Sequence, residues 1–195
     1  MVKLGSDVLL ESRRLVGARV GVVCNPASID HRFRHIADRL AAAEGARLRA
    51  VFGPQHGFRS DVQDNMIETP HATDCARRVP IYSLYSETRE PTAEMLKEVE
   101  VLVIDLQDIG ARIYTYIYTV ANCLRACGRH GVPVIVCDRP NPIGGEDVEG
   151  ALLCQGFESF VGQFPIPMRH GMTIGELARF FNDEFGLEAQ LDVVA

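Results

Sequence analysis

Polar and charged side chains follow four short apolar runs of this sequence, and they are the first candidates for chemistry. Amides, imidazoles, carboxylates and guanidinium groups can all hydrogen-bond a polar ligand, and a carboxylate or an imidazole can also move a proton. The candidates found in this way are Asn25, Gln55, His56, Gln107, Asp108, Arg112, Asp138, Arg139 and Asn141. Their shared position after apolar runs is a stronger argument for a functional site than any one of these residues alone.

The carboxylates at and after the ends of these apolar runs differ in their expected roles. Asp105 ends an apolar run, which favours a structural role, either capping the next helix or pairing with Arg112. Asp108 lies in the following loop and is the better candidate for a site carboxylate. Arg112 is then its ion-pair partner or a clamp for a ligand carboxylate, because a guanidinium fork fits carboxylates. Asp138 can serve either in an Asx-turn or as a site residue. Its position at the end of an apolar run favours the site.

A long polar loop over residues 53–79 holds further candidates. It begins with FGPQHGF, where two glycines and a proline surround His56, so a tight turn and a functional histidine are both open interpretations. Asp64 and Glu68 follow in a stretch that mixes amides and acids, which suits a hydroxyl-rich ligand. Loops of this length without structure of their own are usually functional or disordered.

Three more residues complete the set of candidates. Tyr114, Tyr116 and Tyr118 form a tyrosine series at every second position. We expect Tyr116 to pack in the core and Tyr114 or Tyr118 to line a cleft. Arg169 and His170 directly precede a capping box, which places a basic pair beside a helix N-terminus that attracts anions. A plain surface position is an equally open interpretation of this pair.

The elements that must position these residues are short strands alternating with amphipathic helices. The predicted strands are Arg19–Cys24, 48–52, 79–84, Val101–Asp105, Val134–Cys137 and 190–194. This alternation predicts βαβ units and a doubly wound, mostly parallel α/β sheet of the Rossmann-like kind. Ligands of such sheets bind at the carboxyl ends of the strands, where the candidates lie. Neither a dinucleotide fingerprint nor a P-loop is present, which makes a nucleotide-handling enzyme a weak alternative.

Four helices are predicted, among them a short one capped by Thr92 that runs through Met95, Leu96 and Val99. Apolar residues at helical spacing from Ile29 to Leu40 predict a helix that is capped by Ser28 and buries Phe33. Another helix is predicted over residues 115–129. The last begins at the capping box Thr173-Ile-Gly-Glu.

Composition excludes several classes of function. The 195 residues are 47% hydrophobic and carry a net charge of −6, which argues against nucleic-acid binding. Nothing approaches a membrane span or a signal peptide, so we expect a cytoplasmic protein with no membrane partner. The six cysteines are expected to be mostly buried free thiols. Neither a metal site nor a cofactor is predicted.

Several long motifs, taken together, resemble one known family. FGPQHGF, QDNMIE, VLVIDLQDIGARIYTYIYT, DRPNPIGG and PIPMRHGMTIGELA are similar to the NamZ family of exo-acting β-N-acetylmuramidases. The resemblance runs from about residue 17 to residue 194. It implies a Rossmann-like N-terminal catalytic domain over 17–195, preceded by an extension over 1–16. It also implies a smaller C-terminal domain that this chain lacks, with the cleft between the two.

The resemblance implies hydrolysis of terminal non-reducing β-N-acetylmuramic acid from peptidoglycan-derived saccharides or muropeptides. The family motif reads GPEHG, and its glutamate is the favoured catalytic carboxylate, whereas Gln55 stands there in this sequence. An amide cannot replace that acid, so another carboxylate such as Glu68, Asp108 or Asp138 takes over, the chemistry differs, or the chain is inactive. A divergent but functional branch is favoured, and a non-catalytic saccharide-binding module is the alternative.

The roles expected from this comparison divide the candidates into two groups. Arg112 or Arg169 would bind the lactyl carboxylate of muramic acid. The catalytic candidates are Asp108, Glu68 and His56. The substrate-binding candidates are Asn25, Gln55, Gln107, Arg112, Tyr114, Asp138, Arg139, Asn141, Arg169 and His170.

Overall fold

A computed structural model describes residues 2–62 and 67–195, and these residues form a seven-stranded sheet. Its spatial order is β3-β4-β2-β1-β5-β6-β7, and every pairing is parallel except that of β3 with β4. The doubly wound α/β prediction is therefore confirmed. The strands are β1 (Arg19–Cys24), β2 (Arg47–Gly53), β3 (Ala72–Asp74), β4 (Val79–Ser83), β5 (Val101–Asp105), β6 (Val134–Cys137) and β7 (Leu191–Val194).

Helices cover both faces of the sheet and give it two hydrophobic cores. Along β5, Leu102 and Ile104 face one core while Val101 and Val103 face the other, because successive side chains of a strand alternate. Within the described ranges, no helix is long and apolar enough to cross a membrane. The helices are α1 (Gly5–Glu11), α2 (Ile36–Ala42), α3 (Ala93–Leu96), α4 (Tyr116–His130) and α5 (Ile174–Glu184).

The strand predictions are confirmed to within a residue or two, because fully buried parallel strands are read from their apolar runs. The capping box at α5 is also confirmed: the Thr173 side chain accepts the Glu176 N–H, and the Glu176 carboxylate accepts the Thr173 N–H. The short antiparallel strand β3 was not predicted, since three residues carry too little pattern. Asp64 lies among residues 63–66, outside the described part of the chain.

The helix predicted from Ile29 is wrong in its first half. Asp30 accepts the backbone N–H groups of Arg32 and Arg34, which fixes a turn where the helix was expected. Burial acts to raise the pKa of Asp30, but these donors and the Arg34 guanidinium outweigh it and lower that pKa to about 2. Phe33 adopts a left-handed φ of 59° and is 83% exposed. The helix starts only at Ile36, with His35 as its N-cap.

The first 16 residues, expected as an extension, contain α1, which packs against the sheet. Leu9 is fully buried in the core that α1 shares with α2. The Gly5 N–H donates to the Asp138 carbonyl at 3.1 Å. A Cβ at Gly5 would lie 2.0 Å from the Val194 carbonyl oxygen, so only glycine permits this close approach.

A buried ion pair joins the ends of β5 and β6. Arg139 donates to Asp105 through Nε at 2.6 Å and Nη2 at 3.0 Å, and Nη2 also donates to the Ile29 carbonyl at 3.1 Å. The expectation that Asp105 pairs with Arg112 or caps a helix is therefore wrong. Strand order brings Arg139 to it instead, because β6 lies directly beside β5.

We predict that Asp105→Asn lowers the free energy of unfolding by about 3–5 kcal/mol, since it leaves a buried guanidinium uncompensated. The matched control is Glu44→Gln in the exposed Arg13–Glu44 pair, where a change within about 0.5 kcal/mol is expected. Urea unfolding of both variants measures the difference. Equal losses would contradict the structural weight given to the buried pair.

Candidate active site

The candidate site lies at the carboxyl edge of the sheet, between β1 and β5. From β1 the chain continues to β2 on one side, whereas β5 on the other side of β1 leads on to β6. This is the topological switch point, where loops leave in opposite directions and open a crevice. Asn25 follows β1, and the loop 106–115 follows β5. The predicted convergence of polar strand ends therefore has a geometric basis here.

Asn25 is buried at this point and is held by its own turn. Its side-chain oxygen accepts the Ala27 N–H at 3.2 Å, and its backbone N–H donates to the Ser28 hydroxyl at 2.9 Å. Its Nδ2 donates across the crevice to the Tyr116 hydroxyl at 2.9 Å. Ser28, predicted as a helix cap, instead donates to the Asp105 carbonyl and so connects β1 to β5.

Two tyrosine rings continue this network into the crevice. The rings of Tyr114 and Tyr116 meet edge to face with centroids 4.7 Å apart. Burial, the hydrogen-bonded Tyr116 and the Asp108 charge raise the pKa of Tyr114 to about 12, so its phenol stays protonated at neutral pH. Tyr116 was expected only to pack, and its hydroxyl is the functional group that sequence reasoning missed. The half-buried Tyr114 can therefore donate a hydrogen bond to a ligand.

Asp108, which belongs to the 106–115 loop, lies in contact with His170. The His170 Nε2 lies 3.1 Å from Asp108 Oδ2, and both side chains are almost completely buried. The Gly110 N–H donates to the same Oδ2 at 2.7 Å. Asp108 thus has a histidine as its partner, and the expected pairing with Arg112 is wrong.

Arg112 and Arg169 are held by protein groups. Arg112 Nη1 donates to the carbonyls of Ala151 at 2.8 Å and Ile166 at 2.6 Å. Arg169 pairs with Glu149 at 3.0 Å and, less closely, with Asp147. Both guanidinium groups tie together loops at the carboxyl edge. Binding a lactyl carboxylate would require one of them to exchange these contacts.

Gln107 and Asn141 also make loop-to-loop contacts. Gln107 Nε2 donates to the carbonyls of Asp108 and Pro140, and Asn141 Nδ2 donates to the Met172 carbonyl at 2.9 Å. The bond from Gln107 to Pro140 joins the loop after β5 to the segment after β6, and the bond from Asn141 to Met172 joins that segment to the residues before α5. Both side chains are half-buried.

Asp138 occupies the N-terminus of α5. Its Oδ1 accepts the Gly175 N–H and its Oδ2 accepts the Thr173 hydroxyl, each at 2.8 Å. A carboxylate there compensates the free N–H groups and the positive end of the helix dipole. The expectation that this terminus attracts an anionic ligand is therefore not met, because Asp138 already supplies the negative charge. Arg139, next to it, is engaged with Asp105.

Gln55 and His56 lie at the end of β2, beside β1. Gln55 is buried, and His56 is half-buried with a left-handed φ of 70°. Such a backbone is strained for a residue with a side chain and is concentrated at functional sites. The His56 Nδ1 lies 2.9 Å from the Val62 carbonyl, so Nδ1 carries the donated proton. In the neutral ring Nε2 is then free to accept one.

Glu68 is not brought into this network. Its side chain is exposed and forms a 3.4 Å ion pair with Arg89. Arg89 in turn lies over the Tyr85 ring, with the guanidinium carbon 3.9 Å from the ring centroid. Of the three catalytic candidates, Asp108 is the only one with a buried carboxylate.

The expectation of mostly buried free thiols is confirmed. All six cysteines are free, and Cys24, Cys123, Cys127 and Cys137 are buried. Burial raises the pKa of these four thiols, which keeps them protonated and unreactive. Over residues 2–62 and 67–195, no group of three or more His, Cys, Asp and Glu side chains could hold a metal ion.

Comparison with known proteins identifies the family. The sequence model described as the N-terminal part of the exo-β-N-acetylmuramidase NamZ matches residues 20–195. This chain belongs to the NamZ family. Gln55, where the motif resemblance leads us to expect a glutamate, lies at the carboxyl end of β2 beside the switch point.

Individual relatives agree with this assignment. The peptidoglycan β-N-acetylmuramidase NamZ of Bacillus subtilis (strain 168) is 47% identical over 99% of this chain and 47% of that protein. The crystal structure of a DUF1343 family protein from Bacteroides fragilis NCTC 9343 has a TM-score of 0.91 and 44% identity, over 99% of this chain and 49% of its own. A second one has a TM-score of 0.82 and 30% identity, over 98% and 50%. The chain thus spans about half the length of these NamZ relatives.

The contacts of Asp138 predict a structural role. We expect Asp138→Ala to lower the free energy of unfolding by about 1–3 kcal/mol, because it removes the acceptors at the start of α5. Asp147→Ala, at an exposed carboxylate, is the matched control and should change stability by no more than about 0.5 kcal/mol. Thermal unfolding compares the two. A neutral Asp138→Ala would return Asp138 to the ligand-binding candidates.

Proposed function

We propose that this chain carries the N-terminal half of a glycoside hydrolase site that removes terminal non-reducing β-N-acetylmuramic acid from peptidoglycan-derived saccharides. Membership of the NamZ family and the 47%-identical relative named a peptidoglycan β-N-acetylmuramidase support this function. The observation that carries it is the polar network of Asn25, Tyr116, Tyr114 and Asp108 at the switch point. The half of the relatives that this chain does not span would supply the opposite wall of the cleft.

The network suits a hydroxyl- and amide-rich ligand better than an apolar or a strongly anionic one. Tyr114 offers a protonated phenol, His56 offers a ring nitrogen able to accept a proton, and Gln55 offers an amide. Arg112 and Arg169 are the candidates for the lactyl carboxylate. The cationic groups at this edge already have carboxylate or carbonyl partners, which disfavours a phosphate-handling enzyme.

Glycoside hydrolysis ordinarily uses one group that protonates the leaving oxygen and another that acts as base or nucleophile. With Gln55 in place of the family glutamate, we propose Asp108 as the carboxylate and His56 as the second proton-transfer group. Glu68 is the weaker candidate, because it is exposed and separately paired. Asp108 is covered in the conformation described, so contact with a sugar requires side chains of the 106–115 loop to move.

The second candidate function is saccharide binding without turnover. Its specific support is Gln55, a neutral amide at the position of the family's catalytic glutamate. Isothermal titration with N-acetylmuramic acid measures binding independently of hydrolysis, and heat without turnover would favour this alternative.

We predict that these 195 residues, completed by the C-terminal half of the NamZ relatives, release chromophore from a chromogenic β-N-acetylmuraminide and N-acetylmuramic acid from its disaccharide with N-acetylglucosamine. Asp108→Asn should lower kcat by about 100-fold or more, the range of a proton-transfer group. Glu68→Gln tests the weaker candidate, and Glu44→Gln, at an exposed carboxylate outside the site, is the matched control whose kcat should stay near that of the unsubstituted chain.

Gln55→Glu separates the remaining explanations, because it restores the family's acid in its own position. Turnover only after this substitution would show that the chain binds its saccharide and lacks the acid. An absence of turnover from both the unsubstituted chain and Gln55→Glu would contradict the hydrolase proposal for this chain.

We also propose that the substrates are released fragments that are recycled in the cytoplasm. Six free thiols support a reducing compartment. Cell fractionation with detection of the native protein tests this location, and recovery outside the cytoplasm would contradict it.

A further inference from the structure

Two buried polar atoms without a hydrogen-bond partner belong to side chains in contact with each other, one of which lies in the 106–115 loop. They are Asp108 Oδ1 and His170 Nε2. The two side chains are 3% and 0% exposed, respectively. Leaving such an atom unsatisfied costs about 1–3 kcal/mol, so native proteins keep few of them, and each one calls for an explanation.

The contacts of His170 fix where its ring carries a proton. The Met172 backbone N–H donates to Nδ1 at 3.2 Å, so Nδ1 is an acceptor and has no proton of its own. The proton of the neutral ring is therefore on Nε2, which lies 3.1 Å from Asp108 Oδ2. The angle of this approach falls outside hydrogen-bond geometry, so the contact is a close electrostatic one.

The one hydrogen bond to the Asp108 carboxylate and its close contact with His170 lie on the same oxygen. The Gly110 N–H reaches Oδ2 at 2.7 Å, and His170 Nε2 faces the same atom. Gly110 has a left-handed φ of 84°, and a Cβ there would lie 2.6 Å from Asn141 Oδ1, so glycine is required for this turn. The carboxylate is thus held through Oδ2, and Oδ1 remains as its free acceptor.

We infer that His170 is a positioning residue, which faces Oδ2 of the Asp108 carboxylate and so leaves Oδ1 as the oxygen available for proton transfer. This inference rests on the proposed function of Asp108. It replaces the expectation that His170 binds substrate, because its ring is fully covered and each ring nitrogen faces a protein group. The backbone supports the same arrangement, since the His170 N–H donates to the Gly110 carbonyl at 3.3 Å.

The first test reads the pair directly by nitrogen-15 NMR of the histidine rings in the 195-residue chain. We expect the His170 ring to be the tautomer protonated at Nε2, with its resonances assigned by their loss in His170→Gln. Asp108→Asn should shift these resonances more than those of the exposed His130. A ring protonated at Nδ1, or equal shifts at His170 and His130, would overturn the inference.

The second test separates positioning from binding by kinetics on the chromogenic β-N-acetylmuraminide. His170→Leu removes the Nε2 donor, and we expect kcat to fall by about 100-fold with little change in KM, because a misplaced reacting group slows turnover without loosening binding. His170→Gln retains a side-chain N–H donor and should recover most of the lost kcat. His130→Gln is the control and should leave both constants unchanged.

A double substitution tests whether His170 acts through Asp108. If His170 acts only through Asp108, His170→Leu should have no further effect on kcat in the Asp108→Asn background. Independent, multiplying effects, or a raised KM with an unchanged kcat, would overturn the positioning role. Folding of each variant is checked by circular dichroism. If His170→Leu does not fold, His170→Gln decides the question. A kcat of His170→Gln as low as that of Asp108→Asn would overturn the inference.

The two proposals fail in different ways. An absence of turnover in the unsubstituted chain counts against the proposed function, and the ring tautomer and its response to Asp108→Asn then decide the inference. Turnover with an unaltered kcat in His170→Leu counts against the inference alone.

Discussion

The buried bidentate ion pair between Asp105 and Arg139 is the interaction on which the carboxyl edge of this sheet depends. It joins the ends of β5 and β6, and its guanidinium also binds the Ile29 carbonyl in the segment after β1. Three loops that leave the edge are thereby fixed relative to one another. A buried ion pair is not necessarily stabilising compared with an apolar pair, but removing one partner is costly. The pair therefore specifies the arrangement of the edge.

Most other charges at this edge are satisfied within the protein in the same way. Asp138 holds the start of α5, and Arg169 is paired with Glu149. Once these groups are accounted for, Asp108 stands out as a buried carboxylate with an unpartnered oxygen. A polar edge that looks rich in ligand-binding groups is therefore mainly a scaffold. Fewer residues are left as candidates for ligand contact, namely Tyr114, His56, Gln55 and, after a movement of the 106–115 loop, Asp108.

How far the sequence predicted the molecule differs between its elements. The central strands were predictable because they are buried on both faces and are therefore continuous apolar runs, as in β5 and β6. The helix predicted from Ile29 failed because the side chain of Asp30 bonds the backbone of Arg32 and Arg34, and this local competition outweighs apolar spacing. Tyr116 was read as packing because its pattern reports the buried ring and says nothing of the hydroxyl bonded to Asn25.

The sequence by itself determined the fold class, the strands and the set of polar residues that follow them, because these depend on local hydrophobic patterns and on the direction of parallel strands. It also determined the family, through long motifs. Only the tertiary structure decided which partner each charged residue has. Arg139, rather than Arg112, reaches Asp105, and His170 reaches Asp108 from a segment 62 residues further along the chain. The physical reason is that a side-chain contact depends on strand order and loop path in space, and neither leaves a periodic signal in the sequence.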